Sequence, residues 1–374
     1  MSRRTVKWIP AVAATALVGA VAIAVPLSAN ADAGLPSKTA AQVLALVASS
    51  TEDSFSGTIS QDSNLGIPDL SSLGASTGSG SGSDSGSTDS DSTDSDSSAS
   101  SLLSLLTGSY TARIYVDGTT KARVEVLDKL AERDVIRSGS DVWLYDSSEK
   151  SVIHTTIPSK TDATPTPTPG ASQSPSELAK LLIDKLEPST KVTVGDDLTV
   201  AGRSAYDLVL TPKASETLVA SVSVAVDSDT GLPLSVTVKA AGQSDPAFST
   251  EFTKIDLSTP SASNFDFTPP AGAKVTEETV PTTGIRHPGP VGKDAPANER
   301  PTMIGSGWDA IVSIPANAKT AKLLDSPLYE SLTSAVTGGR LAHTALVNIY
   351  VTTDGRILAG SVPAAKLEAA AATK

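Results

Sequence analysis

The sequence predicts an α+β protein built on one long, strongly curved antiparallel sheet, and three observations predict it. Short apolar alternations of period two recur between about residues 55 and 257, separated by Asp-Gly, Gly-Ser and Ser-rich turns. Two amphipathic helical stretches interrupt them, one before the first strand and one midway. Only 4% of the residues are aromatic, so so large a sheet would be lined mainly by Val, Ala and Leu, which leaves room for a cavity.

The elements follow in chain order. Ser2 to Lys7 is basic, Trp8 to Leu27 is apolar apart from Pro10, Thr15, Gly19 and Pro26, and Ala29-Asn30-Ala31 offers small residues at −3 and −1 of a cleavage site. This is the layout of a secretory signal. A run of about 20 residues is also long enough to span a bilayer, so residues 1–31 are read as a signal peptide or a membrane anchor, and either exports the remainder. Thr39 as N-cap with Ala40, Val43, Leu44 and Val47 at helical spacing predicts a helix over about 39–49. Phe55 to Gln61 reads as the first strand. Residues 75–101 hold 13 Ser and 5 Asp, too little apolar surface to offset ordering entropy, and are read as a disordered insertion. Its aspartates lack the Gly and Glu of a calcium loop.

Ala112, Ile114 and Val116 alternate before Asp117-Gly118, which predicts a hairpin of about 109–117 with 123–128. Strands follow at about 132–137, 141–146 and 151–157. The Pro/Thr linker at about 160–173 has the composition that exported proteins often glycosylate. Ser174-Pro175-Ser176-Glu177 forms a capping box ahead of Leu178, Leu182 and Leu186, predicting a helix over 175–187. Strands resume at about 190–194, 197–202, 205–212, 217–227, 231–240 and 247–257, about eleven in all. Leu218, Ala220, Val222, Val224 and Val226 are assigned to one face with Leu232, Leu234, Val236 and Val238, and Ser221, Ser223, Thr237 and Lys239 to the other. A linker at 277–301 precedes a small αββα module at 302–374. Its parts are a helix at about 322–336, strands at 340–351 and 356–361 around Asp354-Gly355, and a helix at 363–372.

Composition excludes several chemistries. The chain has no cysteine and three histidines, which removes thiolate catalysis, Cys-ligated zinc and a lipobox, and leaves metal sites poorly supplied. Its net charge of −12 becomes −15 without Arg3, Arg4 and Lys7, which argues against a nucleic-acid partner. No G-x-S-x-G elbow occurs, and the S-x-x-K spacing of Ser147 and Lys150 falls in a turn. His154 has no sequence-local acid or nucleophile. Neither an enzyme nor a cofactor is expected.

Five segments carry a family likeness. They are Phe55-Ser56-Gly57-Thr58-Ile59, Gly139 to Asp146, Ala201 to Pro212, Asp229 to Leu234 and Phe265 to Ala273. In this order, over about 37–276 excluding the two insertions, the chain resembles the LolA/LolB-type lipoprotein carriers and their actinobacterial relatives, including the LppX/LprG-like lipid binders and RseB-type periplasmic sensors. The resemblance implies a half-open, unclosed antiparallel β-barrel whose concave side is covered by helices around a hydrophobic cavity.

The expected function is a non-catalytic exported carrier of lipid or lipoprotein acyl chains. Val222, Val224, Val236, Val238 and Leu182 are the expected cavity-lining residues, with Trp143 as the aromatic candidate. Arg203, after a glycine in a turn, is read as structural. The alternative is an RseB-like extracytoplasmic sensor that binds a membrane-anchored protein.

Overall fold

A computed structural model describes residues 34–66, 108–127, 132–157, 186, 188–278, 300–317 and 327–373. The N-terminal segment, the Ser/Asp tract, the Pro/Thr linker and most of the helix expected at 175–187 lie outside these residues. Among the described residues no helix is long and apolar enough to cross a membrane.

Helix α1 spans Ala40–Ser49 and begins as its sequence dictates. The Thr39 side chain accepts from the Gln42 amide, and the Gln42 side chain accepts from the Thr39 amide, closing a capping box. Strands β1 (Ser54–Ser63), β2 (Tyr110–Asp117), β3 (Lys121–Leu127), β4 (Glu132–Ser138), β5 (Asp141–Asp146) and β6 (Ser151–Thr156) form the first half of a large sheet. The second half is β7 (Thr190–Val194), β8 (Leu198–Val200), β9 (Arg203–Pro212), β10 (Val219–Asp227), β11 (Pro233–Ala240) and β12 (Pro246–Asp256). A thirteenth strand, β13 (Lys274–Glu278), lies at one edge. The order is β13-β6-β5-β4-β3-β2-β1-β12-β11-β10-β9-β7, with β8 paired to β9. β1 and β12 thus join the two halves at the centre.

The expectation of a wholly antiparallel sheet is corrected at β13, which pairs with β6 in parallel. Lys-Val-Thr-Glu-Glu carries one apolar residue, and its strand character comes from an edge 123 residues away in the chain rather than from its own pattern. The sheet curls. Ile59, Ala112 and Val126 of β1–β3 share a buried cluster with Val200 of β8, Leu234 of β11 and Phe252 of β12, a contact that a flat sheet of this width could not make.

A second sheet of six strands follows: β14 (Thr302–Ile304), β15 (Ile311–Ile314), β16 (Ser334–Val336), β17 (Gly339–His343), β18 (Asn348–Thr352) and β19 (Ile357–Gly360), in the order β14-β15-β19-β18-β17-β16. Helices α2 (Pro327–Leu332) and α3 (Ala364–Ala372) accompany it. Ile311, Tyr350, Leu358, Val362 and Leu367 make its core under α3. The αββα reading is corrected here. The helix expected at 322–336 ends at Leu332, 334–336 is strand, and 340–351 is two strands divided by the turn that Thr344 closes on Val347. The Asp354-Gly355 turn stands where the sequence puts it, with Gly355 at φ +84°.

The two sheets touch. The Trp308 indole donates to the Thr190 hydroxyl at 2.7 Å, and the Leu218 amide and Thr217 hydroxyl both donate to the Ser361 carbonyl. Lys366 bridges Asp309 and Glu216.

Candidate functional site

Directly opposed residues of neighbouring strands stand on one side of a sheet, so the register assembles faces across the whole order. Gly57, Ile59, Gln61 and Ser63 alternate onto one side of β1, called the inner face here. A first row on it runs from Ile114 through Val124, Val135 and Leu144 to Ile153, each the Cα partner of the next from β2 to β6. Ile114 is buried in the core at 6% exposure, Val124, Leu144 and Ile153 are half-buried, and Val135 is 36% exposed. The row therefore leaves the core beyond Val124, which packs against it, and continues as an apolar track that reaches the surface at Val135. Gly57, the partner of Ile114 on β1, leaves room for the Phe252 ring and the β12 backbone. A Cβ there would lie 2.5 Å from the Lys254 carbonyl and 2.8 Å from the Phe252 ring.

A second row passes from Leu208 through Val224, Val236, Thr250 and Gln61 to Tyr110. A third runs beside it from Leu210 through Val222, Val238 and Phe248 to Ser63. The structure thus brings the four expected valines together as two cross-strand pairs, Val222 with Val238 and Val224 with Val236, all half-buried. Helix α1 lies on this end of the face. Val43, fully buried, packs among Tyr206, Leu208 and Val226, with Leu44, Leu46, Val47 and Val224 around them. Leu182 lies outside the described residues.

Two expectations are corrected. The strict alternation of β10 fails because a bulge at Ala220 shifts the register. Val219, opposite Ala240, is buried and Ala220 is exposed. Trp143 stands on the opposite side of β5 from Leu144. Its ring stacks on His154 at 3.8 Å and meets Phe267 at 5.6 Å, under the segment that carries buried Phe265 across β3 and β4. Sequence reading passed over Val124, Val135, Leu144, Ile153 and Gln61. Alternation identifies which neighbours share a face, and it separates Trp143 from Leu144.

No carboxylate, amine, guanidinium or imidazole stands in the three rows. The charged groups with altered acidity lie elsewhere. Asp227, 1% exposed, takes two bonds from Arg203, at 2.5 and 2.8 Å, and further bonds from the Thr230 amide and hydroxyl. Burial opposes its ionisation, but these bonds outweigh it and hold the carboxyl below the usual range. Arg203 is thereby a structural clamp on the turn at 227–231. Burial pushes the Asp134 carboxyl up to about 6 although Arg123 lies 2.5 Å away. His154 contacts Glu277 through Nδ1 at 2.7 Å and Asp141 through Nε2 at 3.1 Å. Burial disfavours its cation, yet the two carboxylates outweigh that and raise its pKa. They stand at opposite ring nitrogens and so do not converge on one point. Among the described residues no three acidic or imidazole groups form a metal-binding cluster. A depression of about 500 Å³ opens on the second sheet beside Tyr350, Asp354 and Arg356.

No family model and no curated protein matches the chain. Among solved structures it is similar to MucB in the Pseudomonas aeruginosa MucA/MucB complex, with 17% identity, a TM-score of 0.42, and 88% of this chain and 96% of that chain covered. It is also similar to a LolA superfamily protein of Nitrosomonas europaea, with 11% identity, a TM-score of 0.22, and 62% and 99% covered. A third is a putative outer membrane lipoprotein-sorting protein domain of Vibrio parahaemolyticus, with 12% identity, a TM-score of 0.18, and 42% and 81% covered.

Proposed function

We propose that this chain is an exported, non-catalytic carrier that holds the acyl chains of a lipid or lipoprotein against the inner face of an unclosed barrel. In this reading residues 1–31 direct export, about 37–276 form the carrier unit and 302–374 a smaller appended one. The observation that carries it is the cross-strand row that leaves the buried core at Ile114 and Val124 and continues through exposed Val135 to half-buried Leu144 and Ile153. The whole row crosses five strands at about 4.8 Å spacing, about 19 Å with its buried end at Ile114 and about 14 Å beyond it, room for the larger part of a long acyl chain. A sixteen-carbon chain buried at about 0.8 kcal/mol per CH₂ gains roughly 13 kcal/mol gross, which exceeds many estimates of the cost of association. Such binding needs neither charge nor metal.

Two variants test the reading. Val135→Asp puts a carboxylate on the track at a position exposed enough to keep the fold, and Val236→Phe fills the second row, in the other half of the sheet, without adding charge. Both are expected to keep their circular dichroism spectrum and lose uptake of a fluorescent fatty-acyl probe. Folded variants that take up the probe as wild type does would refute it. Lipid analysis of protein purified from its own host then identifies the cargo.

One observation favours the second reading, a sensor for a membrane-anchored protein. Met303, Val312, Ala359 and Ile349 form a cross-strand row on the side of the small sheet away from α3, with Met303 68% exposed. Under that reading Met303→Asp abolishes partner binding; under the carrier reading acyl uptake is unchanged by it.

A further inference from the structure

Gln61 lies in the middle of the inner face at 2% exposure, and neither Nε2 nor Oε1 has a hydrogen-bond partner. Its cross-strand neighbours are Tyr110 and Thr250, both buried, and Ile59 precedes it on the same side of β1. Two residues on, and on the same side, the Ser63 Oγ is also buried without a partner. Buried polar groups in folded proteins are nearly always paired, so a buried amide with both its donor and its acceptor unused is an incomplete arrangement. A carboxamide is completed by a group that presents a carbonyl to its N–H and an N–H or O–H to its carbonyl.

We infer that Gln61, with Ser63 beside it, is the polar contact for the head of the bound acyl compound, and that this head carries both a carbonyl and an N–H or O–H, as a fatty amide or N-acyl group does. This rests on the carrier reading and names the class of cargo. Gln61 stands about 13 Å along β1 from Gly57, by strand rise, and Gly57 is the Cα partner of Ile114, where the apolar track begins. A head at Gln61 has Ile59, Ala112 and Ile114 of the buried core between it and Val135 and Leu144, so its chain must part that packing to reach the track. A plain ester satisfies half of the amide, and a hydrocarbon none of it.

The test is displacement of a fluorescent fatty-acyl probe from the full chain by hexadecanamide, methyl hexadecanoate and heptadecane. Wild type is expected to prefer the amide to the ester, and the ester to the hydrocarbon, by about tenfold for each hydrogen bond gained. Gln61→Leu and the better shape match Gln61→Met should level the three affinities and hold or raise the thermal midpoint, since two unpaired polar atoms leave the interior. Ser63→Ala should reduce the preference in part. A ranking that survives in folded Gln61→Leu or Gln61→Met overturns the inference and leaves the carrier reading standing. So does a fall in thermal midpoint with the ranking intact, which would mean that an internal water alone completes the amide. If none of the three displaces the probe, and the probe itself does not bind, the carrier reading falls and takes the inference with it.

Discussion

Arg203→Met removes one partner of a buried ion pair and leaves the other in place. Asp227 is 1% exposed, and Arg203 holds it through Nε and a terminal nitrogen at 2.5 and 2.8 Å. Breaking such a pair from one side costs about 3–5 kcal/mol, because an uncompensated charge stays behind. Two features favour the lower end, about 3 kcal/mol. The Arg203 side chain is 26% exposed, and Asp227 keeps its bonds from Asp229 and Thr230. The pH dependence follows from the direction of the shift. In wild type the lowered pKa means that Asp227 contributes stability above its unfolded value, near the ordinary carboxylate range, and loses it as pH falls through the still lower folded value. Without the guanidinium, burial is offset only by the Thr230 bonds and the carboxyl rises, so the variant's deficit is largest at neutral pH and narrows toward pH 4 as the carboxylate protonates. Urea unfolding followed by circular dichroism at pH 7 and pH 4 measures both. A loss under about 1 kcal/mol at pH 7, the scale of a surface pair, or a deficit equal at the two pH values, would refute the reasoning. The effect should reach the site as well, since the clamped turn at 227–231 seats the end of α1.

That seat is tested by Gly231→Ala. The position has φ +75°, and a Cβ would lie 2.3 Å from the Leu46 carbonyl, so a loss of about 2–4 kcal/mol is expected in urea melts, with faster acyl-probe uptake as α1 lifts. The raised pKa of His154 means that its tie to β13 is fully present below the free imidazole value and is lost as pH rises through the folded value. Wild type should therefore lose thermal stability on crossing that pH, with a change in the fluorescence of stacked Trp143, and His154→Gln should show neither. Deleting residues 75–100, which offer almost no apolar side chains, should leave the thermal midpoint of the protein unchanged by calorimetry.

Much of the candidate site is legible as local pattern and illegible as a face. The alternations at 109–117 and 217–227 place Ile114 beside Ala112 and Val224 beside Val222 from residue order alone, and these pairs hold. Which side of each strand meets the core is another matter. Leu144 and Trp143 are adjacent, equally apolar and on opposite sides, and only the register with Val135 and Ile114 shows which of them continues the inner face. Gln61 ends a run read as a strand, and nothing in Ile59-Ser60-Gln61-Asp62 distinguishes a buried amide from a solvated one.

The amino-acid sequence by itself determined the elements whose causes are local. Thr39 and Gln42 start α1, Asp117-Gly118 and Asp354-Gly355 turn their hairpins, and the strands between follow a period of two, because capping, turn conformation and side-chain alternation act over a few residues. Tertiary structure alone decided what depends on partners far along the chain. β13 exists because β6 offers an edge for Lys274 to Glu278 to pair with. Ala220 bulges outward because Val219 and Ser221 keep register with Ala240 and Lys239. Residues 334–336 are strand rather than helix because β17 lies beside them. In each case the backbone bonds that settle the conformation join residues whose proximity no local pattern encodes.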